Sequence, residues 1–140
     1  MTAFELAQRY IGIRELGPQD HPLILWWLSL CHLPESMAHD ETPWCGAFLN
    51  GIAWELRLPR SKSAAARSWL DVGWPIPLLE ARPAYDVVIL SREGGGHVGF
   101  FAGVEGGRLM ILGGNQQNAV SIAGFDAARL LGVRRLIAPA

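Results

Sequence analysis

The stretch HVGFFAGVEGGRLMILGGNQ, residues 97–116, carries apolar and small residues on both sides of Glu105-Gly106-Gly107, the pattern of a β-hairpin. A three-residue loop centred on Gly106 pairs Val104 with Arg108 and, carried along the strands, His97 with Asn115. A two-residue loop pairs His97 with Gln116 instead. We take the three-residue register, which makes the His97 imidazole and the Asn115 carboxamide neighbours. Alternation then places His97, Gly99, Phe101, Ile111, Gly113 and Asn115 on one face, with Val98, Phe100, Ala102, Met110 and Leu112 on the other. The glycines leave room beside the histidine.

Around this hairpin, further β-rich runs separated by glycine or polar turns occur at 85–90, 119–123 and 133–138. The first half of the chain reads as helices. Residues 3–11 place Phe4, Leu6, Ala7, Tyr10 and Ile11 largely on one face, and GPQDHP at 17–22 stops that run. A second helix starts after Asp20 or His21, has Pro22 in its first turn, and reaches about His32. In the third, Cys45, Phe48, Leu49, Ile52, Ala53 and Leu56 recur at the spacing of one buried face, with Asn50 and Glu55 off it. Thr42 is its expected N-cap and Pro43 its first helical residue, which puts Cys45 in the first turn. A short helix at 63–70 follows. Helices first and an antiparallel sheet second predict an α+β class. With 140 residues, half of them hydrophobic, one domain spanning 1–140 is expected.

Several function classes lose support from composition. The formal net charge is −1 and the basic residues are scattered, so a nucleic-acid surface is not indicated. The longest apolar run, PLILWWLSLC at 22–31, is too short to span a bilayer. Two cysteines and four histidines show no zinc-ligand spacing, so neither a metal nor any other cofactor is expected. The amino terminus lacks the basic start, apolar stretch and cleavage site of a Sec signal peptide.

The chemistry centres on Cys45. A first-turn thiol sits beside unpaired backbone N–H groups and the positive end of the helix dipole, which favours thiolate. If the third helix docks on the His97 face of the sheet, the chain holds a nucleophile (Cys45), a base (His97) and an orienting amide (Asn115). The backbone N–H of Cys45 would help stabilise an oxyanion. Cys31 closes an apolar run without a favourable helix terminus and reads as packing. Trp44, next to the thiol, is a candidate substrate-groove residue.

DETPWCGAFLNGIAWEL, SAAARSWLDVGW, GGGHVGFFAG and LGGNQQNAVSI together resemble the small NlpC-like and CHAP-like cysteine peptidases of bacteria and phages, which have a shortened papain-like fold. YIGIRELGPQDHPLILWWL at 10–28 extends the likeness over most of the chain. The resemblance implies a peptidoglycan hydrolase that cuts an amide bond of the peptide stem through a thioester, with Cys45, His97 and Asn115 as the catalytic set. It implies an endopeptidase first and an N-acetylmuramoyl-L-alanine amidase second; a non-catalytic wall-binding module of the same fold is the alternative from another class. Tyr85 stands where relatives carry glycine, and His39, Asp40 and Glu41 stand where papain relatives place a glutamine oxyanion donor. Ionised carboxylates cannot donate. A monomer is expected, delivered to the wall without a Sec signal by a holin, a phage tail or a secretion machine, as in a phage or prophage enzyme.

Overall fold

The computed structural model describes residues 1–17, 19–33 and 43–138. Among the described residues three α-helices precede a six-stranded sheet: α1 (Ala3–Gln8), α2 (Pro22–Ser29) and α3 (Cys45–Glu55), then β1 (Trp74–Ile76), β2 (Asp86–Arg92), β3 (Gly95–Glu105), β4 (Arg108–Gln116), β5 (Ala119–Asp126) and β6 (Leu130–Arg135). Strand order is β1-β6-β2-β3-β4-β5, and every pairing is antiparallel. The expected α+β, papain-like arrangement of leading helices against a following antiparallel sheet is the one found. β1, only three residues long and containing Pro75, has no sequence signal and is held at the edge by β6.

Local chemistry accounts for the helix ends. A capping box closes α1: Glu5 N donates to Thr2 Oγ1 at 3.1 Å, and Thr2 N to Glu5 Oε1 at 3.3 Å. In α2, Pro22 occupies the first turn and the His21 ring accepts from Leu23 N at 3.1 Å. Both helices stop about three residues short of expectation, because turns at Arg9–Gly12 and Leu30 take over their last carbonyls. The short helix expected at 63–70 is a 3₁₀ helix, Ala66–Asp71. Helix α3 begins later than expected, with Trp44 as its N-cap and no side-chain cap; Thr42 lies outside the described residues. Cys45 is therefore its first residue.

Helix α3 is buried all round from Cys45 to Ala53, not along one stripe. Asn50, placed off the buried face by periodicity, is fully buried and works as a polar clamp. Its Nδ2 donates to Gly46 O at 3.0 Å and Ser63 O at 2.9 Å, while its Oδ1 accepts from Lys62 N at 2.9 Å. The clamp draws the 61–66 segment across the first turn of α3. There a Cβ on Gly46 would lie 2.5 Å from Ala64 O, so only glycine allows the approach.

The sheet separates two apolar clusters. On the α3 side, Val87, Ile89, Val98, Phe100, Leu112 and Val120 join the helices; on the other side Val88, Leu90, Phe101, Leu109, Ile111 and Val133 pack together. Phe48 is the hub of the first cluster. Its ring lies 4.9 Å from Trp27 of α2, 6.3 Å from Phe100 of β3 and 6.4 Å from Tyr10. Removing it takes packing from both helices and the sheet at once. Phe48→Ala is expected to cost about 3–5 kcal/mol of unfolding free energy. Urea denaturation followed by circular dichroism reads this loss, and a change under about 1 kcal/mol would contradict the assigned packing.

Candidate active site

The hairpin turn is the two-residue form, Gly106-Gly107, both glycines at positive φ (57° and 75°) between Glu105 and Arg108. The register does not stay there. One extra residue in β3, Ala102, restores Phe101↔Ile111 and Phe100↔Leu112, the register the three-residue loop predicted. A second bulge follows in β4, between Gly113 and Gln116, with Asn115 in the left-handed region at φ 57°. An extra residue inverts which face the next side chain takes. Gln116 thereby takes the place beside His97 that regular alternation gives to Asn115.

The contact is direct: His97 Nε2 and Gln116 Oε1 are 2.9 Å apart, both side chains buried. The carboxamide bonded to His97 is thus that of Gln116, and Asn115 is displaced by the bulge. Gln116 Nε2 faces Ser121 O at 2.8 Å, Ile111 O at 3.2 Å and Ser121 Oγ at 3.2 Å. Backbone carbonyls only accept, so the amide NH₂ must point to them and Oε1 to the ring. An acceptor at Nε2 requires the proton there. Nδ1 is left as the basic nitrogen, with no hydrogen-bond partner among the described residues. The ring also stacks on Phe125, with centroids 5.0 Å apart and planes 28° from parallel.

Cys45 reaches the site from the other side of the sheet. His97 pairs with Leu90, whose side chain belongs to the far cluster, whereas α3 packs on the Val98 and Phe100 face. The expectation that α3 docks on the His97 face is therefore corrected. The β3–β4 ladder ends at Phe100↔Leu112, and beyond it the thiol lies against the backbone N–H of Val98, the residue after His97. Cys45 opens on a cavity of about 430 Å³ and His97 on one of about 320 Å³, and Arg92 and Asn115 line both. Among the described residues no hydrogen bond joins the thiol to the imidazole.

Burial pushes the Cys45 thiol above its ordinary value; the N–H groups of Val98, Gly46 and Cys45 itself, with the charge of Arg92, pull the other way. Burial dominates. The first-turn position therefore lessens the cost of a thiolate without making it the resting form. His97 is lowered, first by burial and then by Arg92 and Arg129, against the raising effect of its bond to Gln116. Both shifts favour an uncharged thiol and an uncharged imidazole.

Trp44 does not line a groove. It is fully buried, its Nε1 donates to Glu15 Oε1 at 2.9 Å, and it stacks on Trp27 at 5.9 Å. Tryptophan beside the helix start is thus a core anchor that ties the 13–15 segment to α3. Cys31 is buried too, and Asn50 Nδ2 lies 3.7 Å from its sulfur. His39, Asp40 and Glu41, weighed as oxyanion donors, lie outside the described residues.

No family model matches the chain, and no curated protein matches it. Solved structures do. The peptidoglycan hydrolase RipB from Mycobacterium tuberculosis superposes with a TM-score of 0.59 at 16% identity, over 99% of this chain and 64% of RipB. NlpC1 from Trichomonas vaginalis gives 0.51 at 14% identity, over 96% of this chain and 42% of its own. The fold is NlpC-like. The chain spans less than two thirds of the length of either structure.

Two measurements check the protonation pattern. Long-range ¹H–¹⁵N correlation spectra are expected to show His97 as the Nε2–H tautomer at pH 7, and Gln116→Ala to mix the tautomers; an Nδ1–H ring in the native chain would contradict the assignment. Iodoacetamide is expected to alkylate Cys45 slowly at neutral pH, the rate still climbing at pH 9.0, the ordinary thiol value, where an unshifted thiol would be levelling off. Rapid alkylation at pH 7 would show a thiolate and contradict it.

Proposed function

We propose that this chain is a peptidoglycan hydrolase that cleaves an amide bond of the wall peptide stem by thiol catalysis, with residues 1–140 forming one catalytic unit. Cys45 is the nucleophile, His97 the base and then the acid, and Gln116 the residue that orients the ring. Asn115, the third residue expected from the sequence, becomes a wall of both cavities, where its carboxamide is available to substrate. The observation that carries the reading is the Gln116 amide, fixed by Ile111 O and Ser121 O so that His97 keeps a basic Nδ1, while the next residue, Val98, turns its N–H to the helix-terminal thiol of Cys45. The NlpC-like fold is in accord with it.

In the attack step, Cys45 Sγ bonds to the scissile carbonyl carbon as its proton passes to Nδ1 of His97. The backbone N–H of Cys45 stabilises the oxyanion. The imidazolium then gives its proton to the departing amine, leaving a thioester on Cys45. Water, deprotonated by the same ring, releases the acid and restores the thiol. No cofactor enters this sequence. Endopeptidase cleavage is preferred to amidase cleavage, and delivery to the wall is by a holin, a phage tail or a secretion machine.

Digestion of purified peptidoglycan with product mass spectrometry tests the reading. New amino groups on stem peptides, without freed muramoyl ends, are expected; freed muramoyl ends would make the enzyme an amidase. Cys45→Ala and His97→Ala should abolish release, and digestion by Cys45→Ala at the wild-type rate would remove the thiol mechanism. Gln116→Ala is expected to lower kcat/KM by about 10²-fold, the low end of general acid–base contributions. Asn115→Ala should cost less than Gln116→Ala, and the reverse order would reassign the orienting residue. Because burial lowers His97, it becomes protonated only below its ordinary 6.5. A protonated ring cannot take the thiol proton, so activity is expected to hold through neutrality and fall only below that pH.

A further inference from the structure

The hydrogen bond to Gln116 holds His97 incompletely. In a histidine the Cβ–Cγ bond, extended across the ring, runs close to Nε2, so rotation about it moves Nε2 little and swings Nδ1 further. That torsion is broad and roughly two-fold, as for other bonds between a tetrahedral and a planar carbon. A partner at Nε2 therefore chooses between the two flipped rings, while the plane of the ring is left loosely held. The aim of Nδ1, the nitrogen that takes the thiol proton in the reading above, depends on that plane.

A second contact supplies it. Phe125 of β5 lies against the imidazole face, with ring centres 5.0 Å apart and planes 28° from parallel, and stacked rings resist tilting against one another. Phe125 is itself held. Its backbone pairs with Leu109 of β4, and the guanidinium carbon of Arg129 lies 5.5 Å from its ring centre. Arg129 is tethered in turn, because its Nε donates to Ser91 O of β2 at 2.9 Å. The turn that brings it there is local: the 3₁₀ helix Ala127–Arg129 is capped by Asp126, whose Oδ1 accepts from Ala128 N at 2.9 Å. Ser91, His97, Leu109 and Phe125 thus tie the stack to four neighbouring strands. We infer that Phe125 is a positioning residue for His97: it sets the plane of the imidazole, Gln116 sets the flip, and Arg129 clamps Phe125 in place. The effect on turnover rests on the hydrolase reading; the effect on the ring does not. Two other roles compete, a packing residue of the far apolar cluster and a substrate contact in the His97 cavity.

Full-length Phe125→Leu, which keeps apolar bulk but loses the flat ring, is compared with Phe125→Tyr, which keeps the ring. Nuclear magnetic resonance reads the imidazole without turnover. Native protein and Phe125→Tyr are expected to give one set of His97 ring signals, with cross-relaxation to the ring at 125; in Phe125→Leu the signals should broaden or double. On soluble wall fragments kcat is expected to fall about 10-fold in Phe125→Leu, with KM within about twofold, and to recover in Phe125→Tyr. Arg129→Gln should give the same pattern more weakly, and it decides the question if Phe125→Leu does not fold. Sharp single His97 signals or native kcat in Phe125→Leu would overturn the inference, as would both in Arg129→Gln. A raised KM at constant kcat would make Phe125 a substrate contact, and equal losses in the leucine and tyrosine variants would make it packing alone. Released His97 signals in Phe125→Leu, from a protein whose native form hydrolyses nothing, would leave the positioning standing and remove the hydrolase reading.

Discussion

One extra residue in β4 decides what His97 can do. Without the bulge at Gly114 and Asn115, alternation would bring a shorter carboxamide to the ring and turn Gln116 to the other face. With it, Gln116 enters a buried position where its NH₂ group has carbonyl partners in Ile111 and Ser121 and its oxygen, among the described residues, has the imidazole alone. Each partner constrains the next. The two carbonyls set the amide, the amide sets the tautomer, and the tautomer leaves the basic nitrogen unbonded. Leaving the buried Ile111 carbonyl unpaired would cost about 1–3 kcal/mol, and the part-buried Ser121 carbonyl adds to it, so the arrangement is held by more than one weak contact.

The same interruption of the ladder gives the thiol its place. β3 and β4 stop pairing at Phe100↔Leu112, and the Val98 N–H beyond that point faces Cys45. A helix packed on one face of the sheet can therefore present its first residue to the backbone of the strand whose histidine belongs to the other face. Burial then keeps both groups uncharged, while three N–H groups around the sulfur reduce the cost of forming a thiolate. In the proposed mechanism, charge arises only when substrate is attacked.

Periodicity made most of the architecture legible. The stripe from Cys45 to Leu56, the strand runs on both sides of Gly106-Gly107, and the order of helices before strands were enough to place an antiparallel sheet behind a buried helix. The details it missed share a cause. Bulges at Ala102 and at Gly114-Asn115 lie in small or polar residues that fit both regular and irregular strands, so alternation carried through them reached the wrong carboxamide. Asn50 and Trp44 were misplaced for a second reason: a polar residue can be buried when it clamps a loop, and an aromatic one beside a reactive thiol can be core. Gly-Gly-Asn-Gln at 113–116 does offer both amides, and the backbone at Asn115 tells them apart.

The account reduces to one chemical event, acyl transfer to Cys45 with His97 taking the proton. Acid quenching during turnover of soluble wall fragments, followed by mass spectrometry of the intact protein and its peptides, observes that event directly. The account predicts an added acyl mass on the peptide containing Cys45, absent when His97 is alanine. Turnover with the mass on Cys31 or on any other residue, or with Cys45 unmodified under the same quench, would contradict it.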